Sequence, residues 1–333
     1  MQAIILRSKD GSRFHFGKAL AVGKNDANAL ASVSEYLHSD TLWSALVNAW
    51  ALSSPDTIEN FISECRNEKF KLSSAFYCLE YNHKSIFFLP KPASLNLCQF
   101  NEPKKLKKIK FISKGIWENG LLPEDWFNPE KCTLLQNETM VALGSEIDES
   151  ITLFACETSP KVRARDVSDR EDGFYYQTDL FLLGNKKYSV NWYFITENLL
   201  PENLQNDFNT AMQMLVNFGV GGERSSGCGS LTEYATTDFQ VEIENVAYRS
   251  SLSLIAPNEK ELTENSLYQI IKRGGRFLEK GKALSMVQML LEGAVFNTDI
   301  KGKIVKLNAN PPILRYGLNL DIPLHNNFIN GLL

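Results

Sequence analysis

The chain has 333 residues, 44% apolar and 22% charged, and a formal charge of −4 from 35 Lys+Arg against 39 Asp+Glu. That balance excludes a disordered polymer and leaves room for two ordinary domains with real cores. It also excludes a coat protein that holds nucleic acid through bulk basic charge, so any phosphate contact must come from local clusters.

The opening MQAIILR is too short for the core of a signal peptide. No run of about 18 apolar residues follows, so neither a membrane span nor a membrane partner is expected and the reading is cytoplasmic. The six cysteines (Cys65, Cys78, Cys98, Cys132, Cys156, Cys228) contain no CxxC pair, and the four histidines are scattered. Metal ligands therefore lack their spacing, the thiols read as reduced and buried, and no cofactor is expected.

In chain order, residues 1–7 read as a buried strand. Leu42, Ala45, Leu46, Ala49 and Trp50 form one helical stripe, with Ser39 or Asp40 placed to cap it. Ser54-Pro55-Asp56 starts a second helix whose inner face holds Ile58, Phe61, Ile62 and Cys65. Residues 73–90 read as a pair of strands, or a strand and a buried turn. Six lysines crowd into 104–114 (KKLKKIKFISK) without interleaved acids; such a run is either a solvated face or a phosphate contact. Two apolar arms around the polar, Arg-bearing centre 161–172 predict a long hairpin over about 150–183. Its Phe174, Tyr175 and Tyr176 read either as sheet core or as stacking surface.

After a strand at 189–196, Pro201 opens a helix with Leu204, Phe208, Met212, Leu215 and Phe218 at spacings of three and four. A strand over 231–243 follows, and beyond it the pattern is strand-rich with one helix near 259–271. Strands arrive in pairs between helices, which predicts an α+β fold of antiparallel βαββαβ modules, with a boundary near 245.

Five glycines fall in residues 219–229, GVGGERSSGCG. The Walker lysine is missing, and the order helix, glycines, strand has the wrong polarity for a dinucleotide-binding turn. The segment is either a helix cap followed by a wide turn, or a loop that bares backbone amides and carries Arg224, Ser225 and Ser226 toward anionic oxygens.

Gly221-Gly222-Glu223-Arg224-Ser225-Ser226-Gly227-Cys228-Gly229 directly after a helix resembles the glycine-rich loop of the RAMP proteins, the repeat-associated RNA-binding subunits of CRISPR systems. Three further segments sharpen the likeness: Arg13-Phe14-His15-Phe16 with His38-Ser39-Asp40-Thr41-Leu42, residues 287–296, and Arg315-Tyr316-Gly317-Leu318. Together they are similar to the subunit that caps the crRNA 5′ end in type III-A (Csm) effector complexes, in the same order along nearly the whole chain.

The resemblance implies two ferredoxin-like (RRM-like) modules, 1–245 with the glycine loop and an inserted β-hairpin thumb, and 246–333. It implies a non-catalytic subunit that binds the crRNA 5′ handle, meets target RNA indirectly, and joins the large polymerase-like subunit to the first backbone RAMP subunit. The RNA-binding residues expected on that basis are Arg13, His15, His38, Ser39, Asp40, Arg163, Arg165, Arg170, Gly221, Gly222, Glu223, Arg224, Ser225, Ser226, Gly227 and Gly229. A metal-independent RAMP endoribonuclease that processes repeat RNA is the alternative, with His15 or His38 as acid or base. About a hundred residues follow Gly229, whereas in those nucleases the loop lies near the C-terminus.

Overall fold

The computed structural model describes residues 1–18, 30–97, 100–162, 174–244, 246–277, 282–307 and 313–329. The N-terminal strand β1 (Gln2–Arg7) is followed by the short β2 (Arg13–Phe14), α1 (Ser39–Ser53) and α2 (Ile58–Arg66). Then come β3 (Phe70–Leu72), β4 (Phe76–Tyr81) and β5 (Lys84–Pro90), so residues 73–90 are a strand pair. The lysine-rich segment folds as α3 (Pro103–Lys108), β6 (Phe111–Ser113) and α4 (Lys114–Asn119), and α5 (Pro123–Trp126), β7 (Cys132–Leu135) and β8 (Met140–Leu143) follow. The hairpin is β9 (Phe154–Val162) and β10 (Phe174–Leu182), and the first half closes with β11 (Tyr188–Asn198), α6 (Glu202–Phe218) and β12 (Glu233–Asp238).

Among the described residues, nine strands form one sheet, ordered β12-β1-β11-β4-β5-β6-β8-β7 with β3 on β11. Its heart is antiparallel: β1 lies between β12 and β11, and β11 pairs with β4. α1 and α6 pack against each other. The stripe read from sequence explains this: Leu204, Phe208, Met212 and Leu215 of α6 and Leu42, Leu46, Ala49 and Trp50 of α1 are buried in the same core as β1 and β11. Phe218, the last residue of the helix, departs from that stripe and is exposed. β11 is buried along most of its length, as a strand covered on both faces must be. Trp50 stacks on Phe61 at 4.1 Å and ties α2 to α1. Burying each such ring contributes about 2–3 kcal/mol.

β9 and β10 pair antiparallel from Phe154↔Leu182 to Val162↔Phe174, which is the hairpin expected at about 150–183. Its base is clamped by β2, which pairs with β10 at Leu180↔Phe14.

The C-terminal part contains β13 (Tyr248–Ser251), β14 (Ile270–Arg273), β15 (Arg276–Phe277), β16 (Lys282–Ala283), β17 (Val287–Leu290), β18 (Val295–Phe296), β19 (Val305–Leu307), β20 (Ile313–Arg315) and β21 (Asp321–Leu324). β13 sits between β18 and β21, and β14 pairs with β17. The helix expected near 259–271 is replaced by turns and the start of β14. The cause is local. Lys260 has φ +69°, and Glu261 folds back onto the amides of Asn258 and Gly302 while Thr263 and Ser266 close their own turn. Side-chain-to-backbone bonds of this kind compete with helical ones. No other α-helix is present among the described residues after α6, so a complete second βαββαβ is not traced there.

Both halves share one apolar core: Leu252, Tyr316, Leu318 and Ile322 belong to the same cluster as β1 and α1. Polar bonds join them too. The amide of Ser74 donates to the carbonyl of Leu252 at 2.8 Å, and that of Leu72 to the hydroxyl of Tyr316 at 2.9 Å.

Candidate nucleic-acid interface

The glycine loop leaves α6 at Gly219 and returns at Gly229. Both have positive φ, and a Cβ on either would fall on backbone of the facing neck strand. The neck is closed by the amide of Val220 donating to the carbonyl of Gly229 at 3.0 Å. Only glycine fits two such facing positions.

The loop then lies on the chain beyond β2. The amide of Gly222 donates to the carbonyl of His15 at 2.8 Å and that of Gly229 to the carbonyl of Arg13 at 2.7 Å. The amides of Gly227 and Cys228 bond inside the loop, to the carbonyls of Arg224 and Glu223. The expectation of bared amides is therefore corrected for Gly222, Gly227, Cys228 and Gly229, which are spent on holding the loop's shape. What the loop presents is a single 3₁₀ turn, Arg224–Ser226, with all three side chains exposed. Among the described residues Arg224 has no ion-pair partner.

Beneath that turn lies a buried polar cluster. Asp179 of β10 is 3% exposed and lies 3.6 Å from Arg13 Nη1 and 3.7 Å from His15 Nδ1. The Cys228 thiol donates to it at 3.6 Å and Gln177 Nε2 at 2.8 Å. Burial, with the Asp179 charge beside it, pushes the Cys228 thiol up to about 11, so it is a weak donor and not a nucleophile. Arg13 also donates to the carbonyl of Ser226, which props the outer turn.

A small pocket runs from this loop to the start of α1, lined by His15, Gly221, Gly222, His38, Thr41 and Arg273. It brings together four residues expected from sequence. Their roles there differ. His15 is 3% exposed, with Nδ1 at 2.9 Å from the carbonyl of Thr178. His38 is the N-cap residue of α1 and makes no side-chain cap bond; its Nδ1 lies 2.8 Å from Glu292 Oε1 and its Nε2 3.2 Å from Ser34 Oγ. Ser39 is fully buried, its hydroxyl accepting from the amide of Leu254.

Asp40 lies inside the first turn, so neither it nor Ser39 is the cap. Its two oxygens receive Arg273 Nε and Nη2 at 3.0 and 2.9 Å, and Arg315 Nη1 at 2.5 Å. Burial alone would raise the Asp40 carboxyl; the two guanidiniums outweigh it and hold it down at about 2. Glu292 behaves likewise. Burial works against its charge, while His38 and the Ser74 hydroxyl hold it below the usual range.

The signature His38-Ser39-Asp40 is thus the seam between the N-terminal sheet and the C-terminal strands. Sequence reasoning had placed Glu292 and Arg315 inside C-terminal segments without assigning them to the site. It missed Arg273 and Asp179, which no local pattern marks.

Arg163, Arg165 and Arg170 lie outside the described residues. Tyr176 of the hairpin is exposed and Tyr175 half-buried, so this pair is not sheet core. The lysine run is less concentrated than its sequence implies. Lys105, Lys108, Lys110 and Lys114 pair with Glu102, Glu138, Glu35 and Glu118. Among the described residues, no group of three His, Cys, Asp or Glu side chains is arranged to hold a metal. No described helix is long and apolar enough to cross a membrane.

Residues 244–324 match the family model of the CRISPR Csm4 C-terminal domain. The CRISPR system Cms protein Csm4 of Methanocaldococcus jannaschii is 24% identical over 351 aligned positions, covering 91% of this chain and 88% of that protein. The C-terminal part of the chain is thus a Csm4 C-terminal domain. Over nearly its whole length the chain is similar to a Csm4 protein of a CRISPR system.

The fold agrees. A chain of the Csm3–Csm4 subcomplex of a type III-A CRISPR-Cas interference complex superposes with a TM-score of 0.69 at 21% identity, covering 98% of this chain and 100% of that one. A chain of a Csm1–Csm4 cassette with AMPPNP gives 0.58 at 16% identity, with 97% of each chain covered.

Proposed function

We propose that this Csm4-like chain is a non-catalytic RNA-binding subunit that holds the crRNA 5′ handle. In this reading it joins the large polymerase-like subunit to the backbone RAMP subunits of a Csm complex. One observation carries it: a glycine loop fixed at its neck and along β2 that presents Arg224, Ser225 and Ser226 to solvent beside the base of a long hairpin. A guanidinium and two hydroxyls on a rigid turn suit the phosphates of a single strand, which needs local rather than bulk positive charge.

The module behind the loop is ferredoxin-like in this reading. Strands β1, β4, β11 and β12 with helices α1 and α6 follow the order βαββαβ, and the sheet order β12-β1-β11-β4 is the 4-1-3-2 arrangement of that motif. The hairpin β9–β10 is the thumb, inserted before β11. The joining role draws on the similar chains found in a Csm3–Csm4 subcomplex and a Csm1–Csm4 cassette. The non-catalytic role draws on the burial of His15 and His38, which are 3% and 5% exposed and so shielded from a bound strand.

The test is to purify the chain with its co-expressed partners and sequence the RNA retained. A uniform 5′ end is expected, with retention falling about tenfold in Arg224→Ala, the loss of a charged phosphate contact. Undiminished retention in that variant removes the loop from the contact. Cleavage of repeat RNA that vanishes in His15→Ala or His38→Ala would establish the nuclease instead.

A further inference from the structure

Tyr36 stands in the wall between two pockets. On one side is the glycine-loop pocket; on the other a second pocket opens where the lysine-rich segment meets the C-terminal strands. The wall is rigid. Tyr36 Oη donates to Glu292 Oε2 at 2.9 Å, and the other oxygen of Glu292 meets His38 at 2.8 Å.

Beside the carboxylate of Glu292, which also lines it and is already bonded by Tyr36, His38 and Ser74, the second pocket combines three kinds of group. Lys91, Lys107 and Lys110 bring positive charge. Phe111, Leu291 and Ala294 supply an apolar floor, and the exposed amide side chains of Asn96 and Gln269 stand at the rim. Lys110 is partly answered by Glu35 at 2.5 Å. Lys91 and Lys107 have no carboxylate partner among the described residues. Among the described residues Lys91 Nζ donates once, to the carbonyl of Leu106 at 2.7 Å, and an ammonium has three protons to place. Burial without a counter-ion lowers its pKa to about 8, so an anion beside it would relieve a standing cost.

Free phosphate would satisfy the lysines and leave the floor unused; an apolar ligand would leave the lysines unanswered. A phosphate joined to a flat ring and bearing edge donors and acceptors satisfies all three, as proteins take unstacked bases of single-stranded RNA.

We propose that this pocket accepts one unstacked ribonucleotide of the strand held at the glycine loop, its phosphate on Lys91 and Lys107 and its base on Phe111, Leu291 and Ala294. The proposal rests on the handle-binding reading for the source of the nucleotide. The pocket's own chemistry can be tested without it.

The full chain is titrated with adenosine 5′-monophosphate, with inorganic phosphate, and with the handle RNA recovered from the complex. Each titration uses wild type, Lys91→Met/Lys107→Ala and Arg224→Ala. Binding of the monophosphate nucleotide, stronger than that of phosphate and weakened about tenfold in the double lysine variant, is expected. Handle RNA should weaken in both variants.

If nucleotide binding is lysine-dependent but handle RNA does not bind wild type, the handle reading fails and the pocket stands as a nucleotide site. If Arg224→Ala weakens handle binding while the lysine variant changes neither ligand, the pocket proposal is overturned and the handle reading survives. Phosphate bound as tightly as the nucleotide also overturns it, by removing the base from the contact. Because Lys107 is exposed and methionine keeps the length of Lys91, an unchanged melting temperature checks that the variant is folded.

Discussion

Arg273 of β14 grips Asp40 in the first turn of α1 with two parallel hydrogen bonds, at 2.9 and 3.0 Å, across 233 positions of sequence. The pair is buried, with side-chain exposures of 6% and 1%, and Arg315 completes it from β20. A bidentate guanidinium–carboxylate pair is strong and directional. When one partner is removed, the other is left as an uncompensated buried charge, at about 3–5 kcal/mol. Asp40→Asn should therefore destabilise the chain by that order, and Arg273→Met by a comparable amount. The double variant should cost clearly less than the sum of the two, measured by urea unfolding. Additive losses would show that the pair is not coupled.

The same carboxylate sets a pH dependence. Asp40 is held at about 2 against an ordinary 3.8, so the unfolded chain binds its proton first as pH falls. Its stabilisation, about 2 kcal/mol, is complete above about pH 5 and is lost progressively as pH falls through 3.8 toward 2. Other lowered carboxyls, Glu292 among them, titrate in the same region. The contribution of Asp40 is the difference between wild type and Asp40→Asn, which should shrink as pH goes from 5 to 2. A difference that stays constant over that range would contradict the assignment.

How much of this was legible in the sequence depends on how far apart the partners lie. α6 was readable because Leu204, Phe208, Met212 and Leu215 repeat within one helix, and the polarity of helix, glycines and strand held. The hairpin was readable as two apolar arms, since β9 and β10 are joined by a short segment. The helix expected near 259–271 failed because Glu261 bonds to backbone at 258 and 302, and only the second of those partners is remote in sequence. At the seam nothing local betrayed the answer. Asp40 beside Ser39 at a helix start reads as a cap, and its true partners are 233 and 275 positions away. The lysine run misled for the same reason, because Glu35 and Glu138 reach Lys110 and Lys108 from other elements.

The glycines of the loop separate shape from contact. Gly221 has φ +88°, and a Cβ there would sit 2.8 Å from the carbonyl oxygen of His15, so Gly221→Ala should cost about 1–3 kcal/mol and loosen the loop. Gly222 has an ordinary φ, is exposed, and would bring its Cβ no closer than 3.3 Å, to the ring of His15. Gly222→Ala should leave stability within about 0.5 kcal/mol of wild type. If it nonetheless weakens handle RNA, the strand's backbone passes over Gly222. Thermal unfolding and RNA titration of the two variants side by side make the distinction, and equal losses of stability would refute it.

Asp179 carries the loop on the hairpin. From β10 it faces Arg13 and His15 on the β2 segment and Cys228 in the loop, so one buried carboxylate touches all three pieces that shape the interface. Asn at this position keeps the volume and an acceptor for Gln177 but removes the charge opposite Arg13. Asp179→Asn should therefore cost about 1–3 kcal/mol, the range for a buried polar partner lost. Arg13 would then hold the carbonyl of Ser226 less firmly, and the turn Arg224–Ser226 would open more often. Hydrogen exchange reads this directly. The amides of Gly222 and Gly229, which donate to the β2 segment, should exchange faster in the variant, while those of the central strand β11 keep their protection. Handle RNA should bind more weakly in proportion. Unchanged protection of both glycine amides would mean that the loop is held by its neck and backbone pairing alone, with Asp179 no more than a buried acceptor.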